Sequence, residues 1–259
     1  MKRYGLIGGV LTHSWSARHF ARKFEREGIA DCQYELYPAG EKVRRVDELR
    51  PWLHSLVQEQ GLRGLNVTIP FKQWILPCLD EISDEAREIG AVNCVKVDWQ
   101  GGTPWLVGYN TDAPAFLASI RPLLKPWHTD AVVLGTGGAA RAVAFALRQI
   151  GIGSALVSRT PTGEMIGYVS AVEKLENAFL LINCTPVGMS PNEAQTPWKD
   201  THTLSFRHLC YDLVYNPEDT RFLLEASLSG ASTKGGLEML RRQAELSWDI
   251  WKGQPMVTS

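Results

Sequence analysis

The sequence predicts an α/β protein of two domains, on three observations. A glycine-rich turn between an apolar run and an Ala-rich helix stands near residue 135, halfway along a chain of 259 residues. The half before that turn alternates strand-like and helix-like segments of its own. A chain of this length also outgrows one core and fits two modest ones. The expected order is a first α/β domain over 1–109, a second over 110–232, and a C-terminal helix within 233–259 that returns to the first.

The elements follow in order. Tyr4 to Ile7 reads as a strand, and Ser16 is placed to cap a helix whose Phe20 and Phe24 share a face. Cys32 to Tyr37 is a second strand, Val46 to Gln58 a helix, and Gly64 to Val67 a third strand. Ser83 opens a short helix that stops at Gly90. Val92–Val97 and Trp105–Tyr109 flank Gln100-Gly101-Gly102, a hairpin signal. Asp112 precedes a helix carrying Phe116, Leu117 and Ile120. Strands near Ala155–Val157, Leu180–Asn183 and Cys210–Val214 follow, then a helix from Thr220 to Leu228 and a last one from Gly236 to about Trp251. The stretch from Arg159 to Leu180 is short for a full helical crossover.

The central turn carries the first chemical signal. Val132, Val133 and Leu134 form the apolar run of a buried parallel strand. Gly135, Thr136, Gly137, Gly138 and Ala139 then let the backbone turn sharply and approach a ligand. The N-terminus of the following helix offers unpaired N–H groups to a pyrophosphate. Alanine at 140 replaces the third glycine of the usual dinucleotide fingerprint. Strand, turn and helix nevertheless fall in the right order, so 110–232 reads as a Rossmann-like domain.

Composition narrows the rest. A net charge of −1 leaves no electrostatic footprint for nucleic acid. Five scattered cysteines, none spaced C-x-x-C, read as reduced thiols of a cytoplasmic protein. Scattered histidines without an H-E-x-x-H pair give no metal site. The apolar start, Tyr4 to Leu11, is short, glycine-rich and lacks a cleavage signal, so it reads as a strand entering a loop. No segment approaches the ~20 apolar residues of a membrane span.

Polar clusters recur at strand ends: His13-Ser14-Trp15-Ser16, Asn66-Val-Thr68-Ile-Pro-Phe-Lys72, Gly90-Ala-Val-Asn93 and Asn110-Thr-Asp112. In open α/β sheets ligands gather outside the carboxyl ends of strands. Each residue also has an ordinary structural reading: Ser16 and Asp112 as helix caps, Asn66 and Asn93 as turn formers, Lys72 as a solvated lysine. Their joint recurrence outweighs those readings.

Together with Ser158-Arg159-Thr160, Asn183-x-Thr-Pro-x-Gly-Met189, Asp212-Leu213-Val-Tyr215-Asn-Pro217 and Gly236-Leu-x-Met-Leu-x-x-Gln243, these clusters resemble the shikimate dehydrogenase (shikimate 5-dehydrogenase) family nearly end to end. The resemblance implies an NADP-dependent oxidoreductase that reversibly reduces 3-dehydroshikimate to shikimate in chorismate biosynthesis. It implies Lys72 and Asp112 as catalytic pair, with Ser14, Ser16, Asn66, Thr68, Asn93, Tyr215 and Gln243 on the substrate. Gly135 to Ala139, Ser158, Arg159, Thr160, Leu213 and Gly236 would hold the cofactor. Two departures stand out. Ala17 replaces the usual proline and Phe20-Ala21 the usual His-Asn, and Pro161-Thr-Gly-Glu164 lacks the second basic residue often found there.

Residue chemistry supports that expectation. A lysine ammonium donates a proton to a carbonyl oxygen during reduction and accepts it in reverse. Arg159 suits a 2′-phosphate, and no Asp or Glu ends the strand Ala155–Ser158 where NAD enzymes bind ribose hydroxyls. NADP is therefore expected over NAD. Other readings are a quinate/shikimate dehydrogenase using NAD, a methylene-tetrahydrofolate dehydrogenase on the same plan, and a non-catalytic NADP- or shikimate-binding module. A monomer or homodimer is expected.

Overall fold

The computed structural model describes residues 1–11 and 14–254. Its first elements are β1 (Lys2–Gly8), α1 (Trp15–Arg26), β2 (Cys32–Pro38), α2 (Val46–Gln60), β3 (Leu62–Val67) and α3 (Phe71–Trp74). Then come β4 (Glu81–Ile82), α4 (Asp84–Ile89), β5 (Cys94–Gln100) and β6 (Thr103–Tyr109). They build a mixed sheet in the order β2-β1-β3-β5-β6-β4. β1 runs parallel to β2 and β3, and β5 pairs antiparallel with β3 and β6.

The chain continues with α5 (Asp112–Ile120), β7 (Asp130–Leu134), α6 (Gly138–Gln149), β8 (Gly153–Val157), α7 (Tyr168–Leu175) and β9 (Leu180–Asn183). It ends with β10 (Leu209–Asp212), α8 (Arg221–Leu228), β11 (Ser232–Gly235) and α9 (Leu237–Trp251). These strands form an all-parallel sheet in the order β11-β10-β9-β7-β8. Counted along the chain from β7, that is the doubly wound order 2-1-3-4-5, whose switch point lies between β7 and β9.

Contacts divide the molecule into two compact units: Met1–Thr111 with the described residues from Ala244 onward, and Asp112–Gln243. The sequence expectation put those borders near 109 and 232. In the first unit, Leu49, Leu53 and Val57 of α2 pack with Leu65 and Val67 of the sheet. A second cluster joins Tyr4 and Phe20 to Trp248 and Trp251 of α9. Trp251 stacks on Tyr4 at 4.9 Å and donates its indole N–H to Val95 O at 3.0 Å. In the second unit, Val132, Leu134 and Leu181 meet Trp198, Phe222 and Leu175.

Local expectations meet mixed outcomes. Ser83 caps α4 through Ala86 N at 3.3 Å, and Thr220 caps α8 through Leu223 N. Ser16 is not the cap of α1: the helix starts at Trp15 with Ser14 at its N-cap, and Ser16 lies in the first turn. β10 stops at Asp212, before the expected Val214, because the Asp212 carboxylate takes the Val214 N–H at 3.0 Å. The short stretch after Arg159 still holds a helix, α7, of eight residues. All five cysteines are free thiols. Among the described residues no helix is long and apolar enough to cross a membrane.

Candidate active site

The first unit presents a turn stitched to its sheet. Thr68 N donates to Ile7 O at 2.9 Å, and Gly9 N donates to Ile69 O at 2.9 Å, so the segment after β3 is sewn to the end of β1. Phe71 is fully buried and anchors the single turn of α3. Lys72 follows, half-buried, with its backbone carbonyl accepting from Val92 N at 2.8 Å. The Asn66–Lys72 and Gly90–Asn93 motifs are thereby knitted together by main-chain bonds. Val67 N donates to Asn93 O at 2.8 Å in the same way.

A buried polar chain runs beneath this turn. Ser16 is buried in the first turn of α1. Tyr34 Oη donates to Asn66 Oδ1 at 2.9 Å, and Asn66 Nδ2 donates to Ser247 Oγ at 2.8 Å. Ser247 Oγ lies 3.4 Å from Thr111 Oγ1, which accepts from Asn93 Nδ2 at 2.9 Å. Asn93 Oδ1 closes the set by accepting Thr111 N at 2.7 Å. An N–H can only donate, so that last bond fixes the orientation of the Asn93 amide. Asn66 and Asn93 are 4% and 2% exposed, so their amides serve this chain first and any ligand second.

Two expected residues, Asn66 and Asn93, are thus brought into one network, with Thr68 and Lys72 on the adjoining turn and Ser14 and Ser16 at the start of α1. Its other members escaped the sequence reading. Thr111 sits inside the Asn110-Thr-Asp112 motif, and Ser247 stands one helical turn beyond Gln243, so both left a signal. Tyr34 left none, because nothing in a strand sequence marks a hydroxyl as paired. His13, part of the first motif, lies outside the described residues.

The second unit supplies the other set. Gly135 adopts φ +109, a conformation that favours glycine, and directs the chain from β7 into α6. Gly137, at the N-cap, has an ordinary φ of −76 and open space where a Cβ would stand. Neither its backbone nor its neighbours demand glycine, so the open space suits close approach of a ligand. The turn lies at the switch point, with the α6 N-terminus at its end, and therefore fits a dinucleotide pyrophosphate. Thr136 and Gly138 are half-buried, as is Ala139.

Ser158 follows β8, its Oγ accepting Thr160 N at 3.2 Å, and Arg159 and Thr160 are exposed. At the end of β10, Asp212 is fully buried and gathers neutral donors: Asn183 Nδ2 at 2.8 Å, Val214 N at 3.0 Å and Thr220 Oγ1 at 2.7 Å. Burial pushes its carboxyl up to about 6. The bracketed loop carries Leu213 and Tyr215, and Gly236 N donates to Val214 O at 3.2 Å. Asp112 is buried in the first turn of α5, and Gln243, on α9, donates to Leu240 O at 3.0 Å. Lys72 therefore belongs to the first unit, Asp112 and Gln243 to the second.

Residues 6–95 match the family model of the shikimate dehydrogenase substrate binding domain. A shikimate dehydrogenase (NADP(+)) of Carboxydothermus hydrogenoformans is 34% identical over 268 residues, covering 97% of this chain and 92% of the relative. One from Microcystis aeruginosa is 40% identical over 279 residues, covering 100% and 94%.

The chain belongs to the shikimate dehydrogenase family.

A solved family structure, the shikimate 5-dehydrogenase of Thermus thermophilus in complex with NADP(H) and shikimate, superposes with a TM-score of 0.83. It is 34% identical and the match covers 100% of this chain and 96% of that one. The family likeness accounts for the two-sheet architecture, including the doubly wound second sheet.

Proposed function

We propose that this chain catalyses the NADP-dependent, reversible reduction of 3-dehydroshikimate to shikimate. The observation that carries the reading is Lys72 on a turn knitted by main-chain bonds to a buried network of hydroxyls and amides. Such a surface suits a small polyhydroxylated acid and offers a proton donor beside it. We assign NADP binding to the second unit; of the substrate-binding residues, Ser14, Ser16, Thr68 and Asn93 belong to the first.

The roles follow from the chemistry of the side chains. Bound NADPH supplies the hydride that reaches the carbonyl carbon. Lys72 delivers the proton to the carbonyl oxygen and takes it back in the reverse direction. Asp112, the second catalytic residue of this reading, accepts from a substrate hydroxyl. Ser14 and Ser16 donate to the substrate carboxylate; Thr68, Asn93, Tyr215 and Gln243 hold its remaining polar groups. Asn66, its amide committed to Tyr34 and Ser247, acts by keeping the others in place. Leu213 and Gly236 pack against the nicotinamide side. Arg159, with Thr160 and Ser158, meets the 2′-phosphate. The free thiols suit a cytoplasmic enzyme, acting as monomer or homodimer.

The test mixes purified protein with shikimate and either NADP or NAD, following the absorbance of the reduced cofactor. Turnover with shikimate and preference for NADP are expected. A charge-assisted hydrogen bond contributes roughly 1.5–3 kcal/mol, so Arg159→Ala should weaken NADP by about 10- to 100-fold and NAD far less. Preference for NAD with quinate turnover would favour the quinate/shikimate reading. Binding of both ligands without turnover would favour a non-catalytic module.

A further inference from the structure

Two motifs at neighbouring strand ends, Asn183-x-Thr-Pro-x-Gly-Met189 and Asp212-Leu213-Val-Tyr215, meet through their first residues. β9 and β10 pair in parallel with Asn183 opposite Asp212, and both side chains are fully buried. Asn183 Oδ1 accepts from Thr185 N at 3.0 Å and from Thr185 Oγ1 at 2.7 Å. A backbone N–H can only donate, so the first of these bonds fixes the orientation of the amide. Asn183 Nδ2 then donates to Asp212 Oδ1 at 2.8 Å and to Val187 O at 3.4 Å. Both lone pairs and both N–H groups of the amide are thereby committed to the protein itself.

The loops that these bonds hold border the glycine turn on one side and Gly236 on the other. Cys184 N donates to Leu134 O at 2.9 Å, and a Cβ at Gly135 would stand 3.2 Å from Thr185 Cγ2. The loop after β9 therefore packs directly on the turn from β7 into α6. Asp212 Oδ1 also takes Val214 N, and Leu213 N donates to Asn183 O at 2.9 Å. The Leu213 carbonyl lies so close to Gly236 that any side chain there would collide with it. Thr220, whose hydroxyl donates to Asp212 Oδ2 at 2.7 Å, packs against Gly188 of the loop after β9. The Asn183–Asp212 pair thus fastens the loop after β9 to the loop after β10.

We propose that Asn183, clamped to Asp212, is a positioning residue for NADP binding. It holds the loops after β9 and β10 in the shape against which the dinucleotide lies. This rests on the reading above that the Gly135 turn takes the pyrophosphate and that Leu213 and Gly236 line the nicotinamide side. Asn183 acts through the loops, and Asp212 serves it as an acceptor of hydrogen bonds. An unfastened loop samples several conformations, and only the fraction in the binding shape takes up cofactor. Loosening the clamp therefore weakens the apparent affinity in proportion to that fraction.

Calorimetry with NADP on the purified full chain, without shikimate, reads the clamp directly. Asn183→Ala should raise the NADP Kd by roughly 10-fold, from the loss of one to two net hydrogen bonds. Asp212→Ala should do the same, and the double variant should bind little worse than Asp212→Ala alone, since each residue acts through the other. Asp212→Asn should bind NADP about as tightly as wild type. Its Oδ1 still accepts from Asn183 and Val214, and the Thr220 hydroxyl turns to accept from the new N–H. Thr185→Val removes one bond to Asn183 Oδ1 and keeps the methyl on Gly135, so it should raise the Kd by roughly 2- to 5-fold. That variant decides the matter if an alanine variant does not fold. Asn183→Ala with a lowered melting temperature but unchanged NADP Kd would overturn the proposal. So would a wild-type Kd in Thr185→Val, or an Asp212→Asn protein that binds as weakly as Asp212→Ala. Wild-type protein that binds NADP without oxidising shikimate would overturn the enzymatic reading alone, because the Kd values of the variants still decide the clamp. Wild-type protein that does not bind NADP would overturn both.

Discussion

In the first unit, Glu245 on α9 lies 3.0 Å from His19 Nε2 and 2.5 Å from Lys23 Nζ, both on α1. In the second, Asp212 lies among three neutral donors, and no described cation pairs with it. Both are acids tied to two or more neighbours, yet they move in opposite directions. His19 and Lys23 hold the Glu245 carboxyl down at about 2, whereas desolvation pushes Asp212 up to about 6. The His19 contact is close but not aligned as a hydrogen bond, which makes Lys23 the firmer grip. The contrast separates two uses of an acid. Glu245 fastens one helix to another and stabilises the fold at neutral pH. Asp212 costs the fold stability at neutral pH, and it stands where a loop carrying Leu213 and Tyr215 must be held in place. Perturbed acids of that kind cluster at functional sites.

The larger of the two effects belongs to Asp212. Its folded pKa lies above the unfolded value of 3.8, so its contribution is full below about pH 4 and is lost as pH rises through about 6. A shift of this size corresponds to about 3 kcal/mol. Asp212→Asn keeps the shape without the charge. Its stability relative to wild type should therefore rise by about 3 kcal/mol between pH 4 and pH 8 in urea titrations. A difference that stays flat with pH would break the comparison on this side.

Glu245 should show the opposite sign. Its folded pKa lies below the unfolded 4.5, so its contribution is full above that value and is lost as pH falls toward about 2. The side chain is 42% exposed, so solvent screening reduces the effect to about 1 kcal/mol. Glu245→Gln should melt below wild type at pH 7, with the gap closing by pH 2 to 3. A gap that widens in acid would show that the helix pair is held by its aromatic cluster instead.

Much of this architecture was legible in the sequence. The strand, turn and helix from Ala131 to Leu147 could be read because apolar run, glycines and alanines all agree locally. The Gln100-Gly101-Gly102 hairpin was legible for the same reason. β11 was not: Ser232–Gly235 is short, polar and lies at a sheet edge, where no apolar pattern is required. The end of β10 was misplaced because a side chain, the Asp212 carboxylate, diverts the backbone there. The residues of the candidate site could be listed from their motifs, but not their division of labour. Tyr34, Asn66 and Ser247 are linked across more than half the chain, and such pairings leave no periodicity to read. The same holds for Asn66 itself, which the sequence offered as a substrate contact and the structure commits to its neighbours.

Lys72 bears most directly on the account. Steady-state kinetics of Lys72→Met with shikimate and NADP should show kcat lowered by about 10²- to 10⁴-fold, the usual range for losing a general acid or base. The shikimate KM should change far less, because the hydroxyls and amides around the turn remain. Asp112→Asn should also lower kcat, and the double variant should lose less than the product of the two if both residues serve the same step. A Lys72→Met enzyme that turns over shikimate at close to the wild-type kcat would contradict the assignment of Lys72 as the proton-transfer group.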